Sequence, residues 1–451
     1  MHSHISEESK SELGGGQGPR HVSHPEEVDF VTDPTLPGGP GPSHQSIVTE
    51  EALGRTHETP RSISPIKIIG AGWNICQSWT GVAATMAISI TQGGTVAVIY
   101  GLLVIFVTMG CSAATLGELA SVYPTAGGQY HWTSILAPKD MSRGLSYVCG
   151  SLNILGRIAS TAGVVIIPAQ QIMAIILFFD ADFTPHPWHY FLIYQAANIL
   201  LLLNNIFLLK ETPWIHNAGF MNSLLSFFAI VITCLARSTN KQTSEFVWTT
   251  FINESGWSSD GVVLLTSLNN PNYMFGGFDG VLHLAEECSN AATAIPRALM
   301  STIIIGFVSS FVFVIAMLYS LSDFDALLGT ITGTAFNALV GTGLLLQQLT
   351  FAFLAALILY SKRNEEFLPS SRPFKLGKFG WIANVVTLAF AVLVLVFYNF
   401  PFVLPVTGGN MNYTSNVIGC MAIFMLLNWL FHAMKGYKGP RIVQSYTELS
   451  L

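Results

Sequence analysis

Long apolar runs restrict the fold of this chain more than any other feature. Residues 94–116 (GTVAVIYGLLVIFVTMGCSAATL) and 298–321 (ALMSTIIIGFVSSFVFVIAMLYSL) contain no charged side chain. About 20 apolar residues in a helix cross the hydrocarbon layer of a bilayer, and a helix satisfies its own backbone polar groups there. Only 10% of the 451 residues are charged, against about 25% in a soluble domain. The sequence therefore predicts an all-α polytopic membrane protein.

Ten segments are predicted to span the membrane. They are 68–92, 95–119, 143–178, 188–208, 217–236, 259–285, 297–321, 333–360, 379–403 and 413–433. The third is too long for one upright span, so we expect it to tilt strongly or to consist of two pieces.

The ends of the chain differ from this membrane domain, which is predicted to cover 65–436. Residues 1–64 are polar, with ten acidic against four basic side chains, and bury too little apolar surface to fold. We predict a disordered cytoplasmic tail at 1–64 and a short cytoplasmic tail at 437–451. Lysine and arginine concentrate in the loops on the same side as the N-terminal tail, which supports this orientation. The Asn-x-Ser/Thr sequons at Asn253 and Asn412 then lie outside, where glycosylation can occur.

The sixth segment combines helix breakers with ionisable side chains. Pro271 and the pair Gly276-Gly277 weaken the helix near mid-membrane, which is tolerated only where the break is buried in protein or lines a cavity. The half-helix that begins near Phe278 would direct its amide end, with a partial positive charge, into the gap. The break is suited to a carboxylate at that end and to a cation at the opposing carbonyls.

Beyond the break, Asp279, His283 and Glu286 or Glu287 recur at a spacing that places them on one face of an α-helix. Asp279 is expected either to serve the site or to cap the helix. His283 is either a hydrogen-bonded bundle residue or a proton relay. The two glutamates alternatively lie at the cytoplasmic headgroups and pair with Arg297.

Two further features lie in the first and third segments. Polar and small residues interrupt the first, namely Asn74, Gln77, Ser78, Thr80 and Gly81, beside Trp79. Such residues also mediate helix packing, but breaks in corresponding helices of two halves indicate an inverted-repeat transporter with a midplane site. Arg157 is isolated within the third segment, where it either faces the substrate cavity, pairs with Glu118 or a backbone carbonyl, or snorkels.

Several motifs resemble one family. GELASVYPTAGGQYHW (117–132) resembles the signature that follows the second helix in amino acid permeases of the amino acid–polyamine–organocation superfamily. QSWTGVAA in the first segment, GGFDGVLHLAEECSNAATAIPRAL at the sixth and FPFVLPVTGGNMNYTSNVIG (400–419) are similar to its fungal branch, which carries amino acids, 4-aminobutyrate or choline. The similarity extends from about 65 to 437.

The resemblance implies a five-plus-five inverted-repeat fold with substrate between the unwound parts of helices one and six. The implied substrate-binding residues are Ser78, Trp79, Thr80, Gly81, Phe275, Gly276, Gly277, Phe278 and Asp279. Phe278, or else Phe275, would be an aromatic gate. Protons are the expected coupling ion, and the plasma membrane, or alternatively the vacuolar membrane, is the expected location. The candidates for coupling or gating are Asp279, Glu118, Arg157, His283, Glu286 and Glu287.

The chain departs from the family after its seventh segment. LGTITGTAFNALVGTGLL (328–345) passes to the start of the family's tenth helix, so the eighth and ninth are missing and the second repeat is incomplete after about residue 331. This leaves ten spans instead of twelve. An altered gene model, a splice product or a degenerate copy would each produce such a sequence.

Two functions fit these features. One is secondary-active transport of an amino acid or related amine, such as 4-aminobutyrate or choline, by alternating access around the broken helices. The other is a non-transporting relative, either a nutrient sensor or a truncated inactive copy. No enzyme motif, nucleotide-binding loop or metal-ligand cluster occurs in the spans, so we predict no enzymatic activity, no cofactor and no nucleic-acid partner. The expected partners are the small-molecule substrate, protons and membrane lipid.

Overall fold

Helices form almost all the regular structure in the part of the chain that the computed structural model describes. The described residues are 64–180, 182–208, 214–321, 334–408 and 410–440, and they lie within one compact unit, 56–443. One isolated antiparallel bridge joins Gln92 to Asn253. The N-terminal tail, most of the C-terminal tail and the junction at 328–333 lie outside the described residues.

Sixteen α-helices occur along the described residues. They are α1 (Pro65–Cys76), α2 (Ser78–Thr91), α3 (Gly94–Val122), α4 (Gly128–Leu136), α5 (Lys139–Val164), α6 (Ile166–Phe179), α7 (Pro187–Leu203), α8 (Trp214–Arg237), α9 (Ser244–Thr249), α10 (Asp260–Ser267), α11 (Asn269–Asn272), α12 (Ala291–Ser320), α13 (Thr334–Tyr360), α14 (Phe379–Phe397), α15 (Thr414–Asn428) and α16 (Met434–Gly436). Two 3₁₀ helices, Tyr273–Phe275 and Phe278–Glu287, lie between α11 and α12.

Eight helical runs among the described residues are long and apolar enough to span a membrane. They correspond to eight of the ten predicted segments, and the other two, the first and the sixth, are those for which breaks were predicted. The third segment consists of two helices, α5 and α6, joined at Val165. The all-α polytopic prediction is therefore confirmed.

The first break lies at Gln77, between α1 and α2. The backbone there is left-handed, with φ 44° and ψ 46°, a conformation that costs roughly 1–2 kcal/mol for a residue with a side chain. The amide of Gln77 still donates to the Trp73 carbonyl at 2.9 Å, and its side-chain oxygen accepts from Ser223 Oγ at 2.7 Å. These two hydrogen bonds hold the residue where the helix changes direction.

The sixth segment breaks at Gly276-Gly277, as predicted. Gly277 has φ 82°, a value that glycine adopts without steric cost. The chain then continues from Phe278 as a 3₁₀ helix rather than an α-helix. With about three residues per turn, the buried face carries Asp279, Leu282 and Ala285.

The prediction that Asp279, His283 and the two glutamates share one helical face is therefore wrong. His283, Glu286 and Glu287 are exposed, whereas Asp279 is buried. The physical reason is the change in period, because a spacing of four residues is not in phase with a helix of three residues per turn.

The core lies where α12 packs against α3, and where α13 packs against α5 and α14. Helices on the outside, such as α7 and α15, present large apolar side chains to the surroundings; Leu200 of α7 is 69% exposed and Phe424 of α15 is 62% exposed. Apolar surface of this extent fits contact with lipid.

Candidate functional site

The two broken segments meet in the interior. A Cβ on Gly81 of α2 would lie 3.2 Å from the Tyr273 carbonyl oxygen, so the two backbones approach closely. Thr85, one turn further along α2, donates from its hydroxyl to the Asn270 carbonyl at 3.1 Å. One backbone carbonyl of the sixth segment, that of Asn270, thus receives a donor from the first segment, which is one way in which backbone polar groups near a break are satisfied inside a membrane protein.

Asp279 is the centre of a buried polar cluster beside the sixth-segment break. Its carboxylate forms an ion pair with Arg157, whose Nη2 lies 2.5 Å away, and accepts hydrogen bonds from the Gln129 side-chain amide and from Gln347 Nε2 at 3.3 Å. Gln129 in turn accepts from Asn153 Nδ2 at 3.2 Å. The Asp279 side chain is only 1% exposed. Inside the protein, its negative charge is paired with one guanidinium, and two side-chain amides donate hydrogen bonds to it.

One backbone amide at the break, that of Gly277, already has a side-chain partner. Gln347 Oε1 accepts from the Gly277 amide at 3.1 Å, while the same side chain donates to Asp279. Arg157 also covers the break, because a Cβ on Gly277 would lie 3.3 Å from Arg157 Nη1. One glutamine from α13 therefore links the break to the carboxylate beyond it.

A narrow cleft runs along this cluster between α5, α13 and the sixth segment. It is lined by Asn153, Gly156, Arg157, Ser160, Asp279, Gly343, Gln347 and Thr350. The remaining space is on the scale of one water molecule. The Arg157 side chain is 35% exposed, whereas Asp279 is 1% exposed, so part of the arginine side chain is accessible while the carboxylate is buried. Such a site can bind a small polar molecule once the pair opens.

The structure brings only part of the predicted substrate site to this cleft. Asp279 lines it and Gly277 borders it. Trp79 instead donates to Ser223 Oγ at 3.1 Å and packs against Phe227 and Phe313, with ring centroids 5.9 and 5.5 Å away. Of the predicted first-segment residues Ser78, Trp79, Thr80 and Gly81, none lines the cleft. Their substrate role stays a prediction.

The two candidate gate residues are both fully buried. Phe278 packs edge-on against Phe351 of α13, with centroids 5.3 Å apart. Phe275 lies against Gly306 of α12, where a Cβ on the glycine would be 3.0 Å from its ring. Phe278 is the one that contacts α13, which also provides Gln347.

The alternative that Arg157 pairs with Glu118 is wrong. Glu118 lies at the far end of α3 and binds Arg363 and Arg372, whereas Arg157 binds Asp279. His283 and Glu286 also lie outside the cleft lining. His283 Nδ1 is 2.7 Å from the Ala126 carbonyl oxygen, and Glu286 Oε1 accepts from the Ala126 amide at 3.4 Å, so both tie the 3₁₀ helix to the turn that follows α3.

Sequence reasoning missed three neutral side chains of the cluster: Gln129, Asn153 and Gln347. One signal was present for Gln347, because Gln347 and Gln348 interrupt an otherwise apolar run, and polar residues inside a span usually face the bundle interior. The other two carry no comparable signal, since α4 and the first half of α5 contain many polar residues.

Known proteins resemble this chain over most of its length. The family profile for amino acid permeases matches residues 66–328. A choline transporter of Saccharomyces cerevisiae is 30% identical over 84% of this chain and 82% of the relative. A swainsonine transporter, swnT, of Arthroderma benhamiae is 27% identical over 88% of this chain and 94% of the relative.

Both alignments contain more positions than this chain has residues in them. In the choline transporter comparison, 84% of 451 residues is about 379 residues, yet the alignment has 464 positions, so about 85 positions have no counterpart in this chain. The swainsonine transporter gives the same picture, with about 397 residues in 484 positions and so about 87 unmatched. The family profile covers more than half of the chain, and we conclude that this helical membrane protein belongs to the amino acid permease family.

Proposed function

We propose that the chain is a secondary-active transporter of an amino acid or related amine, such as 4-aminobutyrate or choline, and that it works by alternating access around its broken first and sixth segments. The observation that carries this proposal is the Arg157–Asp279 pair, which lies in a polar cleft directly beside the left-handed Gly277. Ionisable residues at such depth in a membrane protein mark pathways for substrates or ions.

The family membership and the transporter names of the relatives support the same function. Protons are the proposed coupling ion, and the plasma membrane, with both termini in the cytoplasm, is the proposed location. The cleft supplies one cationic and one anionic side chain together with neutral donors and acceptors. These groups match a substrate that carries an amine.

A second candidate is a non-transporting permease relative, and one observation favours it. About 85 positions of the relatives have no counterpart here, a length sufficient for two spanning helices of about 20 residues each with their loops. The family profile match ends at 328, close to the departure in the sequence. We propose that the eighth and ninth helices of the family are missing at this point.

Uptake into permease-deficient yeast tests the proposal. We would compare the chain with a version in which the two helices are restored after Ile331, using labelled amino acids, 4-aminobutyrate and choline. Gly277→Trp should abolish uptake, because any side chain there is strained and meets Arg157. Gly419→Trp is the matched control, since Gly419 is an exposed position of α15 with no atom near its Cβ.

The outcomes separate the two candidates. Uptake by the chain as given, lost in Gly277→Trp and kept in Gly419→Trp, supports transport through the broken-helix site. Uptake by the restored version alone supports the non-transporting alternative. Equal loss in both tryptophan variants would contradict a specific role for the break.

A further inference from the structure

Arg157 lies against Asp279, the one carboxylate in the cleft lining. The guanidinium lies 2.5 Å from the carboxylate and beside the break at Gly277. On the basis of the proposed function, we infer that Arg157 is an internal occupant of the substrate site. Among the substrates proposed above, it selects those that carry both a cationic and an anionic group and excludes choline. Arg157 is thus a specificity-determining residue.

The first step of the argument is charge balance at Asp279. A substrate amine that binds this carboxylate must displace the guanidinium. The cleft lining contains one positive and one negative side chain; the other six lining residues are neutral, being Asn153, Gly156, Ser160, Gly343, Gln347 and Thr350. Displaced Arg157 therefore has no second carboxylate in the lining to bind. A buried or partly buried charge that loses its partner is strongly destabilising.

The second step concerns the place where an anionic group can bind. A helix break ordinarily offers free backbone amides to a carboxylate, but the Gly277 amide already donates to Gln347 Oε1 at 3.1 Å. Arg157 is the cation beside it, and a guanidinium binds carboxylates through paired hydrogen bonds. A zwitterion therefore replaces both partners at once, its amine at Asp279 and its carboxylate at Arg157.

The third step excludes a permanent cation without an anion. Choline can pair with Asp279 only by leaving Arg157 without a counter-charge. Quaternary ammonium groups are also typically recognised by the faces of aromatic rings, and no aromatic side chain is among the described residues that line the cleft. This chain is thus expected to differ in substrate from its relative named a choline transporter.

The test measures binding, not transport, on the purified full-length protein in detergent. The probes form a matched set: 4-aminobutyrate, butylamine, butyrate and choline, with alanine, ethylamine and propionate as a second set. Affinities come from calorimetry or from competition against the labelled zwitterion. For the native chain we expect the zwitterion of at least one set to bind at least tenfold more tightly than its amine-only and carboxylate-only analogues and than choline.

Three variants locate the cause. Arg157→Gln should lose the zwitterion preference and bind the amine as tightly as the zwitterion. Arg143→Gln is the control, because Arg143 lies on the same helix but donates to the Met434 carbonyl outside the cleft; it should behave like the native chain. If Arg157→Gln does not fold, the neutral pair Arg157→Gln/Asp279→Asn keeps the shapes without the charges, and it should lose at least tenfold in zwitterion affinity.

Each result decides the inference. Choline binding as tightly as the zwitterions, no binding by any probe, or a zwitterion preference that survives Arg157→Gln or the neutral double variant would overturn it. The failure of transport is distinguishable, because selective zwitterion binding without uptake contradicts the proposed transport and leaves the inference standing. Uptake together with unselective binding supports the proposed transport and contradicts the inference about Arg157.

Discussion

Replacing Glu118 with glutamine should destabilise the protein far more than the loss of an ordinary surface charge. Its buried carboxylate accepts from Arg363 Nη2 at 2.5 Å, from Arg372 Nε and Nη2 at 3.0 and 2.9 Å, and from the Leu376 amide at 3.2 Å. The Arg363 and Arg372 side chains are only 5% and 12% exposed. The variant would leave both guanidinium groups nearly buried without their anion. Removing one partner of a buried ion pair destabilises by about 3–5 kcal/mol, so we expect a loss of at least ~3 kcal/mol.

Two measurements check this loss. The midpoint of thermal unfolding in detergent should fall, and trypsin should cut the segment 361–378 sooner, because Glu118 holds that segment against the end of α3. Glu366→Gln is the matched control on the same loop; Glu366 is exposed, and its change should stay within about 0.5 kcal/mol. Adding Arg372→Gln to Glu118→Gln should recover part of the loss, since one unpaired cation is then removed.

The same variant separates this structural role from the coupling role that the sequence suggested for Glu118. A coupling residue would keep the unfolding midpoint of the native protein and change the pH dependence of uptake when replaced. A Glu118→Gln protein within about 0.5 kcal/mol of the native one would refute the reasoning from burial and charge.

Two other perturbations follow from local geometry. Gly306→Ala should lower the free energy of unfolding by roughly 1–3 kcal/mol, because its Cβ would lie 2.4 Å from Ser78 Oγ. Gly110→Ala is the control and should be tolerated, because its Cβ would meet its nearest neighbour at 3.9 Å. The midpoints of thermal unfolding of the two variants test this difference. Of the two sequons, only Asn253 should carry a glycan, because Asn253 is exposed, whereas Asn412 is 5% exposed and donates to two backbone carbonyls. The glycan would be seen as a shift in electrophoretic mobility that a glycosidase removes. A shift lost in Asn412→Gln would contradict this, and no shift at either site would contradict the proposed orientation.

The broken segments could be predicted from the sequence because their causes are local. Gly276-Gly277 is the only such pair within the sixth segment, and glycine alone adopts φ 82° without steric cost. The first break was predicted less sharply, since its left-handed residue is Gln77, whose side chain accepts a hydrogen bond from Ser223, 146 positions away. A tertiary contact of this kind leaves no local pattern.

The partners of the ionisable residues could not be predicted for a similar reason. Arg157 had several candidate partners, and the choice of Asp279 depends on how α5 packs beside the sixth segment. The 3₁₀ helix after Phe278 then decides which side chains face inward: Asp279 is buried and His283 exposed. The prediction from residue spacing used the α-helical period of 3.6 residues per turn. It therefore placed Asp279 and His283 on the same face, which is wrong.

The position of α13 indicates whether the two helices that we propose to be missing would affect substrate binding or transport. This helix begins at Thr334, just after the point where we propose that two helices are missing, yet its Gly343, Gln347 and Thr350 line the cleft and Gln347 binds both Gly277 and Asp279. The proposed binding cluster thus lies within the described residues, while about 85 positions of the choline transporter alignment have no counterpart in this chain. Alternating access needs one repeat to move against the other, so the proposed loss of two helices from the second repeat should impair movement before it impairs binding. We therefore expect restoration of the two helices to raise the rate of uptake and to change the binding affinity of the zwitterion less than threefold. An affinity that appears only in the restored protein would show that the missing helices belong to the site itself.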